Sequence, residues 1–239
     1  MLITIVTIFP EMFPGGLSYS LLGKSLGKTW DLKTVNIRDF AKDKHNTVDD
    51  TPYGGGAGMV MKPDVVHAAM NHALSLYEST PKILFMTPRG RTFSHEIAKN
   101  EIMKDNESGI IILCGRYEGI DQRVIDSWKQ NHGLLEISIG DFIVFGGELP
   151  AMIVVETCLR FVKGIMNNSE STEEESFSLD LLEYPQYTKP AIWMEENVPS
   201  VLLSGNHKEI AKWRAKQSEQ ITRDIRPDLW EKYTNNQGQ

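Results

Sequence analysis

Gly109-Ile-Ile-Ile-Leu-Cys-Gly-Arg-Tyr-Glu-Gly119 is an apolar, β-branched run that stops in a glycine-rich turn, and Leu134-Leu-Glu-Ile-Ser-Ile-Gly-Asp-Phe-Ile-Val-Phe-Gly-Gly-Glu-Leu-Pro150 repeats the plan. Similar strand-like runs stand at Leu2 to Phe9, Leu32 to Ile37 and Lys82 to Met86. Helical patterns separate them. Pro63 sits at a first helical position ahead of Val65, Val66, Ala69, Met70 and Ala73, which share one face, and Ser94 is placed to cap a helix running through Lys104. Strand and helix in alternation predict an α/β fold, a mainly parallel sheet with helices on both faces.

Ligands of such sheets bind at the carboxyl ends of strands, where both glycine turns fall. Glycine there lets backbone N–H and C=O groups approach a ligand closely. The spacing of Gly115, Gly119, Gly140, Gly146 and Gly147 gives no G-x-G-x-x-G, and no Gly-Lys-Ser/Thr follows. That favours a neutral, backbone-read ligand such as an adenosine over a bare phosphate. Thr87-Pro-Arg-Gly90 supplies a third strand-end turn bordering the same pocket.

With 239 residues and 41% hydrophobic content, the chain is long enough for one large domain plus an appendage. It reads as a soluble globular protein. No apolar run approaches the roughly 18 residues of a membrane span, and Leu2 to Phe9 lacks the basic flank and cleavage site of a signal peptide. Cys114 and Cys158 show no metal or disulfide spacing, so a reducing, cytoplasmic setting is expected. The net charge of -7 argues against general nucleic-acid binding, but its distribution is uneven. Lys24 to Lys44 carries six Lys/Arg against three Asp, Ser200 to Arg226 six against three acids, and Glu170 to Glu183 six acids and no base. Each basic cluster reads either as a solvated face or as a patch for phosphates.

Pro150 opens a further helix carrying Met152, Ile153, Val155, Glu156, Leu159 and Phe161, with Gly164 as its stop. Met166 to Ser178 is polar, acidic and too poor in apolar residues to pack by itself, and reads as a mobile linker. A small helical tail follows, where Asn206 and Glu209 have capping-box spacing ahead of a helix from about His207 to Gln220. The boundaries are therefore residues 1–164, a linker 165–178 and a tail domain 179–239. Asp49 to Met59 holds four glycines, Tyr53 and two carboxylates, and reads as a flexible connector or as a loop closing over a planar substrate or a partner subunit.

Several ordered motifs resemble the bacterial tRNA (guanine-N1)-methyltransferase family, TrmD, of the SPOUT superfamily. They are Ile8 to Phe13, His45 to Asp50, Cys114 to Asp121, Ser138 to Asp141, Gly146 to Met152, Glu175 to Phe177, Tyr184 to Pro190 and Val201 to His207 with Trp213-Arg214. The match runs nearly end to end. The resemblance implies a deep trefoil knot, which base rates would have rejected. It also implies S-adenosylmethionine bound in a bent shape and an obligate homodimer sharing its active site. By position the cofactor residues are Thr87, Pro88, Gly90, Gly115, Tyr117, Glu118, Ile139, Gly140, Asp141, Phe142, Ile143, Val144, Gly146, Gly147 and Pro150.

The reaction so implied is methyl transfer to N1 of guanine 37 in tRNA, which protects the reading frame. N1 must lose a proton while charge spreads onto O6. The family's base and O6 stabiliser map onto Glu175 and Arg160. Where the family usually has aspartate before Ser-Phe, this chain has glutamate, with Glu173 and Glu174 ahead of it, so Glu174 stays an alternative base. The same substitution leaves open an RNA-binding homologue that keeps the pocket without catalysis, and a small-molecule methyltransferase is a third reading. Asp50, Ser204, Asn206, His207, Lys208 and Arg214 are the implied contacts to the target guanine and the anticodon stem-loop. Magnesium dependence is implied as well, with no metal-ligand cluster legible.

Overall fold

The computed structural model describes residues 1–104, 108–166, 175–177 and 179–237, and divides into two compact units, Met1–Met166 and Asn167–Gln239. In chain order the strands of the first unit are β1 (Leu2–Thr7), β2 (Asp31–Asn36), β3 (Asp49–Asp50), β4 (Val60–Met61), β5 (Lys82–Thr92), β6 (Ile110–Cys114) and β7 (Leu135–Ser138). Its helices are α1 (Ser20–Ser25), α2 (Pro63–Leu74), α3 (His95–Ile97), α4 (Gln122–His132) and α5 (Glu148–Leu159). The five strand-like runs form one parallel sheet in the order β2-β1-β6-β5-β7.

The run that reads most plainly as a strand shows why the sheet is covered on both faces. Ile110, Ile112 and Cys114 of β6 point into one core with Ala151, Val154, Val155, Cys158 and Leu159 of α5. Ile111 and Leu113 point into the other, with Val65, Val66, Ala69, Met70 and Ala73 of α2 and Val124, Ile125 and Trp128 of α4. A period of two with every position apolar leaves both faces in need of cover. Burying each isoleucine contributes about 1.5–3 kcal/mol.

Most element ends follow local chemistry. Pro63 occupies the first turn of α2, where its missing N–H costs nothing. Helix α4 is capped by the Asp121 carboxylate, which accepts from Arg123 N at 3.0 Å, and it ends at the left-handed Gly133. Helix α5 starts at Glu148, two residues ahead of Pro150, which stays within the first turn. Ser94 does cap, accepting from Ile97 N at 3.3 Å, but α3 is short and widens into a π turn over Ala98–Ile102.

Tyr77 links the core to a titration. Its hydroxyl donates to the Ile110 carbonyl at 2.8 Å and lies 2.9 Å from Thr4 Oγ1, and burial pushes its phenol up to about 12. The folded value lies above the roughly 10 of an unfolded tyrosine. Its contribution to stability is thus complete below pH of about 10 and is lost as pH rises through about 12. Urea midpoints of the wild type should fall across that window more steeply than those of Tyr77→Phe; equal slopes would contradict the assignment.

The second unit contains the antiparallel pair β8 (Ile192–Trp193) and β9 (Glu196–Asn197), then α6 (Ser200–Leu203), α7 (His207–Ile225) and α8 (Pro227–Gln237). Asn206 caps α7, accepting from Glu209 N at 3.4 Å, while the Glu209 carboxylate pairs forward with Lys212 at 3.0 Å instead of back to the cap. The helix continues past Gln220 because Ser218 and Thr222 are buried there, and the Thr222 hydroxyl accepts from Leu182 N at 2.8 Å. Residues 167–174 and 178 of the acidic linker lie outside the described residues.

Candidate active site

Strand β5 lies between β6 and β7, so the segments leaving these three strands converge at one end of the sheet. The chain's order forces this, because β6 must cross over β5 to reach β7 through α4. A cavity of about 580 Å³ opens there. Thr87 to Gly90 is not a turn after a strand. It is a bulge inside β5, where Met86 and Arg91 both register with Ile137 and the chain then resumes pairing to Thr92. The bulge turns Thr87, Pro88 and Arg89 toward the cavity.

Of the fifteen positions expected to meet a cofactor, thirteen line the cavity. Gly90 and Asp141 do not. A side chain at Gly90 would strike the backbone of Glu136 and Ile137, so its task is the close approach of β5 to β7. Between Gly115 and Gly147 the two turns touch directly, Gly147 N donating to Gly115 O at 3.0 Å. Tyr117 holds φ 59 and Gly140 φ 134, left-handed conformations that sharpen the two turns.

Below the cavity floor, burial pushes the Cys114 thiol far up, with the Glu148 carboxylate adding to the effect. It is therefore a packing residue and not a nucleophile. Beside the cavity, Asp49 to Met61 is a hairpin and not a loose connector: β3 pairs antiparallel with β4. Its base is stitched to the Gly115–Gly119 turn by Glu118 N to Met59 O at 3.0 Å and Met61 N to Gly119 O at 2.9 Å. Tyr53 at its tip is 99% exposed.

The family model for tRNA (guanine-1)-methyltransferase TrmD matches residues 1–232. The chain belongs to the TrmD family. It is 54% identical over 230 residues to the tRNA (guanine-N(1)-)-methyltransferase of Wolbachia pipientis wMel, covering 95% of this chain and 94% of the relative. Against the enzyme of that name from Anaplasma phagocytophilum the identity is 51% over 230 residues, with 96% and 95% covered. Against that of Roseobacter denitrificans it is 50% over 227 residues, with 95% and 91% covered.

The remaining residues expected from the TrmD resemblance fall in both units. Arg160 is exposed and ends α5, its N–H donating to Thr157 O at 3.3 Å. Glu175 is half-buried in the second unit, next to a turn held by Phe177 N to Leu181 O at 2.8 Å and Glu183 N to Ser176 Oγ at 3.0 Å. Glu174 lies outside the described residues. Asp50 is exposed and accepts from Thr51 N at 2.7 Å. Ser204 and Asn206 shape the start of α7, Asn206 N donating to Ser204 Oγ at 3.1 Å, with His207 and Lys208 exposed on its first turn. Arg214 stacks over the Tyr184 ring at 4.7 Å.

Sequence reasoning passed over Arg116, Arg89 and Gln122, which also line the cavity, and the buried Glu148 behind it. Arg116 and Glu148 stand inside the quoted motifs. An ionisable residue at the head of a helix bound for the core was the available signal. Arg89 donates to Gln122 Oε1 at 3.0 Å, a pairing between β5 and α4 that only the fold brings together.

Proposed function

We propose that this chain transfers a methyl group from S-adenosylmethionine to N1 of guanine in tRNA, at position 37 beside the anticodon, and so maintains reading frame. The carrying observation is the cavity where three strands end, walled by glycine backbone and by thirteen of the positions that the TrmD motifs assign to the cofactor. Its apolar walls and bare N–H and C=O groups suit an adenosine. The names of the curated relatives favour a working enzyme over a homologue that keeps the pocket without catalysis.

When bound, S-adenosylmethionine supplies an electrophilic methyl group on sulfonium sulfur and leaves as S-adenosylhomocysteine. Glu175 accepts the N1 proton as the N1–methyl bond forms, and Arg160 donates to O6, where negative charge gathers. Gly115, Gly140 and Gly147 hold the donor on backbone. Lys208 and its neighbours on α7, with Asp50, read the anticodon stem-loop. Residues 179–239 act as the tRNA-binding domain, joined through 165–178. The trefoil knot belongs to the same reading.

A homodimer with a shared site is part of this proposal. Ile143 and Phe145, which line the cavity, and Leu149 and Ile153 on α5 are 81%, 98%, 55% and 48% exposed, apolar surface that a second copy would cover. Sedimentation should find activity only in the dimer. The reaction belongs in the cytoplasm with its tRNA; among the described residues no helix is long and apolar enough to cross a membrane. Magnesium dependence belongs to the same reading, with no residue assigned to hold the ion; among the described residues no group of three or more His, Cys, Asp or Glu side chains could hold a metal.

Incubation with labelled S-adenosylmethionine and tRNA transcripts bearing guanine or another base at position 37 tests the reaction. Label should enter only the guanine transcript. An unlabelled guanine transcript would overturn the enzyme reading, and methylation without RNA would point to a small-molecule substrate.

A further inference from the structure

Glu148 is fully buried at the head of α5, yet two side chains meet its carboxylate. Thr7 Oγ1 donates to Oε1 at 2.6 Å, and Arg116 Nε donates to Oε2 at 2.9 Å. The same guanidinium donates from Nη1 to Phe145 O at 3.3 Å and lies 4.4 Å above the Phe9 ring. These contacts tie together the end of β1, the turn after β6, the loop after β7 and the start of α5. A side chain at Gly146 would collide with this guanidinium, so the loop is drawn tightly against it.

Stability alone is a poor reason for such a pair. Desolvating a carboxylate is costly, and apolar residues of similar volume in place of a buried pair are often as stable. What apolar contact lacks is direction. The planar guanidinium fixes distance and angle to a carboxylate and a carbonyl at once, which loose packing between two glycine turns would not.

We infer that Arg116 and Glu148 form a strut that sets the separation of the two glycine turns, making Glu148 a positioning residue that governs cofactor affinity through Arg116. The inference rests on the S-adenosylmethionine reading of the cavity. Glu148 lies behind the wall and does not line the cavity. Its effect must therefore pass through the turns it holds.

Titration calorimetry of S-adenosylmethionine into the full-length wild type, Glu148→Gln, Arg116→Lys and the double variant tests this, alongside melting curves. Each single change should weaken cofactor binding by about 10- to 100-fold, and the double variant should be no weaker than about threefold beyond the poorer single, because the two side chains act as one unit. Binding of tRNA without cofactor should stay within about twofold of the wild type. Lower melting temperatures with unchanged cofactor affinity, or single effects that multiply in the double variant, would overturn the strut. Should Glu148→Gln fail to fold, Arg116→Lys keeps the cation and carries the same expectation. A wild type that does not bind S-adenosylmethionine would instead overturn the reading on which the strut rests.

Discussion

Replacing Glu175 by glutamine is expected to lower the rate of methyl transfer by about 10²- to 10⁴-fold, the usual contribution of a positioned general base. The amide keeps the volume of the carboxylate and cannot take the N1 proton. Cofactor affinity should hold within about twofold of the wild type, because among the described residues the cavity is lined by positions between Val60 and Pro150 and by none of the linker. Single-turnover rates at saturating tRNA, with binding measured separately, make the comparison. If Glu175→Gln turns over normally while Glu174→Gln is inactive, the base is one residue earlier. Glutamate reaches one methylene further than aspartate, so Glu175→Asp also reports how far the carboxylate must extend to take the proton.

Replacing Gly147 by alanine should weaken S-adenosylmethionine binding by about 5- to 150-fold. A Cβ there would sit 2.8 Å from Cys114 Cα and 3.1 Å from both Cys114 Cβ and Gly115 N. These are the last atoms of β6 and the first of its turn, set between β1 and β5, and they cannot step aside. The added methyl must push the 140–147 loop outward instead, stretching the Gly147 N to Gly115 O bond of 3.0 Å. Overpacking of this kind costs about 1–3 kcal/mol, and each 1.4 kcal/mol taken from binding is a factor of about ten. Gly16→Ala is the control, since nothing lies within 4 Å of a Cβ there. Equal cofactor affinity for Gly147→Ala and wild type would show that the cavity does not depend on the touch between the turns.

The sheet was legible because its central run, Ile110 to Cys114, is apolar at every position, and such a run has few ways to satisfy both its faces. The boundaries were blurred where tertiary contacts outweigh local signals. Thr87-Pro-Arg-Gly90 has the composition of a turn, yet β5 passes through it as a bulge because β7 offers a partner for Arg91 and Thr92. Asp49 to Met59 has the composition of a loose loop, yet its ends pair as β3 and β4 and are held by the Gly115–Gly119 turn.

By itself, the sequence determined the fold class, the family and the end of the sheet where a cavity opens, for these follow from periodic burial, from motifs in fixed order and from glycines at strand ends. Only the tertiary structure decided how the cavity is held open. Thr7 and Phe9, Arg116, and Phe145 with Glu148 come from three stretches far apart along the chain and meet because β1 and β6 are neighbours in the sheet and α5 starts against them. A hydrogen bond requires its two groups within about 3 Å, and no spacing along a sequence specifies that distance until the strands between have paired.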